Sequence, residues 1–215
     1  MKPRLNRPDE VMWHHANGTA LSPCAGTQHH NVDIIDNSHQ SRWPGFTSQV
    51  YKNSRGEHYH VGYHLVIDFD NETITRTRAF SEEGAHCIGK NLSSVGVLMI
   101  GNYDECSGEE IPSEKEYLIV QAWEMIKEEL PHLTIPKNNP HRKYASKSCF
   151  GDSLADNYVQ NVILAGETTQ PVEDKQEEIM HIETLREEVR RLLITYVALL
   201  QQLLTKKRLS LRELP

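Results

Sequence analysis

Apolar positions change their period several times along the chain, and each change marks an element. Val11-Met12-Trp13 is a short apolar run read as a strand, and Asn17 to Gln28, rich in Gly, Ser, Pro and Cys, reads as a long loop. Val32 to Arg42 looks helical and is broken by Trp43-Pro44-Gly45. Val61 to Phe69 alternates well enough for a buried strand, Asp70-Asn71 turns the chain, and Thr73 to Thr77 pairs back as a hairpin. Ser94 to Ile100 is a near-continuous apolar run, the mark of a strand covered on both faces. Helices are therefore expected on both sides of a sheet.

The most regular helical spacing lies between Glu114 and Leu130, where Ile119, Ala122, Trp123, Ile126 and Leu130 share one face and Ser113 with Glu116 has the pattern of a capping box. A strand is expected near Leu133 to Pro136, then the loop PHRKYASKSCFGD, then a helix from Asp152 that turns Leu154, Tyr158 and Val162 inward. Strands and helices thus intersperse through residues 1–165, which predicts an α/β domain with a central mixed β-sheet flanked by helices. The polar stretch 166–176 (GETTQPVEDKQ) reads as a linker.

Residues 177–215 are expected to form a long C-terminal helix. From Ile182, the residues Leu185, Val189, Leu192, Tyr196, Leu199 and Leu203 follow the 3-4-3-4 seam of a coiled coil, over about three heptads. Acidic residues gather early and basic ones late, which suits the helix dipole and an antiparallel pairing. Homo-oligomerisation is the first reading of this segment. Leu193, Ile194, Val197, Leu200 and Leu204 widen the stripe, so docking on the preceding domain or contact with a membrane surface stays open. Thr195, Gln201 and Gln202 make the stretch too polar to span a bilayer.

Composition narrows the class. A chain of 215 residues with 38% hydrophobic and 25% charged residues suits one water-soluble domain plus an appendage. Its net charge of −7, with no basic cluster backed by aromatics, argues against nucleic acid as a partner. Met1 to Glu10 has no apolar core of a signal peptide, and the four cysteines have neither a CxxC pair nor a dense framework, so synthesis in a reducing cytoplasm is expected.

Most of the twelve histidines read as surface or hydrogen-bonded residues. Two positions stand out. His14 and His15 close the first strand, and because successive strand residues face opposite ways only one of them can serve a given site. His141 and Cys149 share the loop before the last helix; H-x7-C is a weak pattern alone, and Cys149 could equally be a small buried apolar residue. A His, His, Cys set nevertheless supplies the three donors of an open zinc site.

The stretches WHHANG, VGYHLVIDFDNETI, Arg78 with GAHCIGKNLSSVGVLMIGN, and HRKYASKSC, taken in order, resemble the zinc-dependent N-acetylmuramoyl-L-alanine amidases, the family of phage amidase endolysins and peptidoglycan recognition proteins. The resemblance covers roughly residues 9–165. It implies a mixed sheet flanked by helices, a zinc site in a cleft, and peptidoglycan as substrate. It maps the zinc ligands to His14, His141 and Cys149, catalytic roles to Tyr63 and Lys147, and cleft-lining positions to His86 and Asn91. Two departures are visible: Trp43 to His60 is longer than in small phage enzymes, and Cys149-Phe150 stands where the family has Cys-Pro. The implied reaction is hydrolysis of the amide between N-acetylmuramic acid and L-alanine, in a phage or prophage enzyme made in the cytoplasm and acting on the wall after release. The alternatives are a non-catalytic peptidoglycan-binding module and a phage structural component with a local lytic domain.

Overall fold

The computed structural model describes residues 7–16, 24, 31–146 and 148–169, and within the C-terminal segment residues 184, 186, 188–193 and 196. Five strands form one sheet: β1 (Glu10–His15), β2 (Leu65–Asp68), β3 (Thr73–Arg76), β4 (Ser94–Met99) and β5 (Asn138–Pro140), in the order β3-β2-β4-β1-β5. All neighbours are parallel except the β2-β3 hairpin, so the sheet is mixed. Among residues 7–169 that the structure describes, three α-helices accompany it, α1 (Val32–Arg42), α2 (Tyr117–Glu129) and α3 (Tyr158–Thr169).

Strand alternation sorts the core into two layers. Val11 and Trp13 of β1, Leu65 and Ile67 of β2, and Val95, Val97 and Met99 of β4 pack with Leu118, Ile119, Ala122, Trp123 and Ile126 of α2 and Val159, Val162 and Ile163 of α3. On the opposite face Val66 and Leu98 pack with Ile35 of α1, Tyr59 and Val61. Sandwiching explains why β4 reads as a continuous apolar run. Asn31 caps α1 by accepting from the Ile34 amide at 3.0 Å, satisfying one of the helix's orphan donors.

Several boundaries differ from the sequence expectation. Strand β2 begins at Leu65, not Val61, because residues 61–64 bend to serve side-chain partners: the Gly62 amide donates to His39 Nδ1 at 2.9 Å. The capping box at Ser113 and Glu116 does not form. Ser113–Lys115 is a 3-10 turn without a side-chain cap, and Glu116 is instead the acceptor for the Tyr158 hydroxyl at 2.7 Å. Residues Ile135–Lys137, expected in a strand, form another 3-10 turn, and the strand follows at Asn138–Pro140. This polar strand carries no apolar signal; β1 recruits it through its backbone and through Trp13 Nε1, which donates to Asn138 Oδ1 at 2.8 Å. Helix α3 starts at Tyr158 rather than Asp152, and it runs to Thr169, through the first residues of the expected linker.

The chain divides into two compact units, Met1–Glu167 and Thr168–Pro215. Residues 184, 186, 188–193 and 196 of the second unit are helical and exposed, Val189, Leu192, Leu193 and Tyr196 among them. Leu185, Leu199, Leu203 and most of the expected seam lie outside the described residues, so the coiled-coil expectation has no structural support here. Among the described residues no helix is long and apolar enough to cross a membrane.

One disulfide joins Cys24 to Cys106, with Cα atoms 5.1 Å apart. The partners are 82 residues apart and follow β1 and β4, which become neighbours only through parallel pairing, so local spacing carries no sign of the bond. Cys87 and Cys149 are free and buried.

At the amino end of β1, the buried carboxylate of Glu10 pairs with Lys90 Nζ at 2.8 Å and accepts from the Tyr144 hydroxyl at 2.5 Å and from Asn139 Nδ2 at 3.1 Å. Burial alone would raise its pKa, but the bonds from Lys90 and Tyr144 outweigh burial and hold it below the ordinary value. A depressed carboxylate contributes stability above its unfolded pKa and loses it as pH falls through the folded one. Glu10→Gln should therefore cost about 2 kcal/mol near neutrality and little at acid pH. Thermal melts of both proteins between pH 3 and 7 check this; a constant difference across the range would remove the ion pair as its cause.

Candidate metal centre

Parallel β1 and β5 end side by side, and His14 and His141 emerge at those carboxyl ends, where open α/β sheets tend to place ligands. His14 lies on the face of β1 opposite Trp13. His141 opens a 3-10 turn directly after Pro140. The loop from there returns to bring Cys149 back, and it is closed by the Arg142 amide donating to Cys149 O at 2.5 Å. The Arg142 side chain fastens the far side, donating to Asp156, Gly151 O and Leu154 O at 2.5–2.6 Å.

These elements bring one donor atom each from His14, His141 and Cys149 to within 4.8 Å of one another. Cys149 Sγ is 3.7 Å from His14 Nδ1, and the two imidazole rings have centroids 4.4 Å apart. All three residues are buried. Among the described residues this is the one such group of three potential ligands.

His14 Nε2 is hydrogen-bonded to His86 Nδ1 at 3.2 Å, so the nitrogen facing Cys149 is the other one. A partner on the far nitrogen fixes the tautomer and orientation of a metal-binding imidazole. His86 is aimed by its own loop, since the amides of His86 and Cys87 donate to Asn91 Oδ1 at 2.9 and 2.8 Å. Its ring comes close to β4 because Gly96 has no side chain; a Cβ there would come within 2.5 Å of the His86 ring. The structure thus places His86 against His14, and spends the Asn91 oxygen on the loop that carries His86.

Tyr63 packs beside both histidines, its ring centroid 5.0 Å from that of His14 and 6.3 Å from that of His86. Burial pushes its phenol well above the ordinary value, so it stays protonated and able to donate. His39 of α1 packs beside Tyr63 at 5.8 Å while its Nδ1 accepts from Gly62. In the sequence His39 was legible only as a residue of a helix; its place beside the site depends on how α1 packs. Lys147 lies outside the described residues.

His15 faces away, as strand alternation requires. Its Nδ1 accepts from the Tyr103 amide at 3.0 Å, and burial lowers its pKa to about 4 despite Asp104 at 3.9 Å. A neutral, fully packed imidazole there is no ligand but anchors the strand that carries His14. His64 is likewise committed, accepting from the Gly96 amide at 2.9 Å and facing Glu82 O at 3.0 Å.

No protein-family model and no curated protein matches the sequence. Solved structures do. The chain is similar to LysC, an N-acetylmuramoyl-L-alanine amidase from Clostridium intestinale URNW, at 18% identity and a TM-score of 0.52 over 75% of this chain and 91% of that one. It is similar to the Ph2119 endolysin of a Thermus scotoductus MAT2119 bacteriophage, at 15% identity and a TM-score of 0.53 over 75% and 88%. It is also similar to PGRP-SA of Apis mellifera, at 17% identity and a TM-score of 0.51 over 75% and 86%. The chain therefore has the fold shared by N-acetylmuramoyl-L-alanine amidases, phage endolysins and peptidoglycan recognition proteins.

Proposed function

We propose that the protein is a zinc-dependent N-acetylmuramoyl-L-alanine amidase that cuts bacterial peptidoglycan, acting as an endolysin of phage or prophage origin. The observation that carries this reading is the convergence of His14, His141 and Cys149 within 4.8 Å beside Tyr63. Two imidazoles and a thiolate, with no carboxylate among them, suit zinc, and three protein ligands are the number that leaves a position open for chemistry. The His86 contact on the far nitrogen of His14 adds the orienting partner that metal-binding histidines usually have.

A zinc ion held there would supply Lewis acidity toward the scissile carbonyl and the attacking water. The chain's own residues do the rest. Tyr63 donates a hydrogen bond to the oxygen on which negative charge develops, and its raised pKa keeps the proton in place for that purpose. Lys147, in the same loop as both later ligands, supplies a positive charge to the same oxygen. His86 and Asn91 hold His14 in register from one wall of the site.

The reading is tested on purified peptidoglycan. Turbidity should fall and free amino groups of alanine should appear with zinc present, and both should stop with chelator. Pull-down on peptidoglycan without amino-group release, in zinc-loaded protein, would support the binding module instead. We place synthesis in the cytoplasm and action at the wall.

The C-terminal segment is read as an oligomerisation helix because its described apolar residues, Val189, Leu192, Leu193 and Tyr196, are exposed in the single chain. Leaving such side chains in water forgoes roughly 1.5 to 3 kcal/mol each. Residues 1–167 alone should stay folded and hydrolyse muropeptide at near the full-length rate, while the full-length chain elutes as an oligomer. Light scattering that finds monomers for both would sink this reading, and vesicle binding by the full chain would then favour membrane-surface contact.

A further inference from the structure

We propose that Cys24–Cys106 is a thiol–disulfide exchange site, taking small thiols of the glutathione class or a protein dithiol carrier, and that its oxidised form steadies the metal centre. Both cysteines are exposed, whereas Cys87 and Cys149 are buried, so exchange is directed to this pair. Exposed disulfides are the ones that exchange readily with soluble thiols.

The bond ends in a loop with an unusual set of contacts. Cys106 belongs to the segment after β4, and three residues just before it reach the metal centre's supports. The Tyr103 amide donates to Nδ1 of His15, the residue after His14. Tyr103 O accepts from the Ser153 amide and hydroxyl at 3.1 and 2.6 Å. The Glu105 amide donates to Asp152 Oδ1 at 2.6 Å, and the Asp152 amide to Asp104 Oδ1 at 3.3 Å. Asp152 and Ser153 follow Cys149 closely. One loop therefore buttresses the chain beside two of the three proposed ligands, and the disulfide ties that loop to the segment leaving β1. Tyr103 and Asp104 stay buried without the bond, but Glu105 and Cys106 are exposed, and the Glu105 amide's bond to Asp152 at that surface opens more easily once the disulfide is gone.

Oxidation balances as two exchange steps. One cysteine thiolate attacks the carrier disulfide, forming a mixed disulfide and releasing one carrier thiolate. The second cysteine thiolate then attacks the protein sulfur of the mixed disulfide, closing Cys24–Cys106 and releasing the other. Two electrons pass to the carrier, and the two thiol protons go with them. A chain made under reducing conditions would thus hold its metal loosely, and one reaching an oxidising compartment would hold it firmly.

This consequence rests on the zinc reading above, but the exchange site does not. The test equilibrates full-length protein in glutathione buffers of graded redox ratio and follows the pair by alkylation and mass. In the metal-free protein, hydrogen exchange at residues 101–109 and 151–153 should rise on reduction. In zinc-loaded protein, transfer of zinc to a chromophoric chelator should quicken about 10-fold to 100-fold, the usual size of second-layer effects on metal affinity. The double variant Cys24→Ser with Cys106→Ser should behave as the reduced form at every ratio; should it not fold, the oxidised and reduced wild-type forms decide alone. Equal exchange protection and equal zinc release in the two wild-type forms would overturn the proposal, as would a disulfide that resists glutathione until the protein unfolds. Redox-dependent zinc release in a protein that cleaves no peptidoglycan would uphold it while defeating the amidase reading.

Discussion

His14→Ala is expected to fold, to lose stoichiometric zinc, and to hydrolyse peptidoglycan at least about 1000-fold more slowly than the wild type. His14 is the hub of the arrangement: its Nδ1 faces Cys149, its ring lies against His141, and its Nε2 meets His86. Removing it leaves two donors with no third to complete a tetrahedral site. Cys149→Ser should do the same, since a neutral hydroxyl is a poor substitute for thiolate toward zinc. His15→Ala should behave differently. It keeps zinc, because His15 faces Tyr103 and Asp104 across the sheet, and it costs stability through lost packing and the lost acceptor for the Tyr103 amide. Elemental analysis of the purified variants separates the two. Zinc retained in His14→Ala and lost in His15→Ala would move the ligand by one residue and undo the assignment.

The histidine pair also shows what was legible in the sequence. Strand alternation alone requires that His14 and His15 serve opposite faces, but not which of them meets His141 and Cys149; the family resemblance chose His14, and the structure gathers those three residues. The central strand β4 was legible because burial on both faces leaves an unbroken apolar run, α2 because amphipathic spacing is a local property, and α1 because Trp43-Pro44-Gly45 marks its end. The polar strand β5 was not. Asn138–Pro140 joins the sheet through backbone pairing with β1 and the Trp13 bond, neither of which leaves an apolar pattern.

Side-chain competition explains other differences. Glu116 could have closed a capping box, but Tyr158, distant in sequence, claims its carboxylate. The disulfide belongs to the same class of long-range outcome, because Cys24 and Cys106 meet through strand order. Gly96 is the informative exception: an isolated glycine inside an apolar strand signals a close approach, and the approaching group is the His86 ring. That signal was present in the sequence and pointed to the wall of the site.

Tyr63→Phe is expected to retain zinc and fold yet lose about 100-fold to 1000-fold in kcat, the usual loss when one oxyanion-type donor is removed. The substitution deletes only the hydroxyl, so the ring contacts with His14 and His39 persist and the metal site keeps its shape. The phenol is suited to donation rather than to proton abstraction, because burial raises its pKa well above the working range. The loss should therefore fall on kcat with KM nearly unchanged, since the bond forms only as charge develops on the carbonyl oxygen. Lys147→Ala should show the same pattern, its charge acting on the same oxygen. Steady-state kinetics on a soluble muropeptide, alongside zinc content, distinguishes the possibilities. Wild-type kcat in both variants would remove the two residues from the mechanism, and a rise in KM alone would turn them into substrate-holding groups. Loss of zinc in Tyr63→Phe would show instead that the tyrosine supports His14, and the chemistry would need another donor.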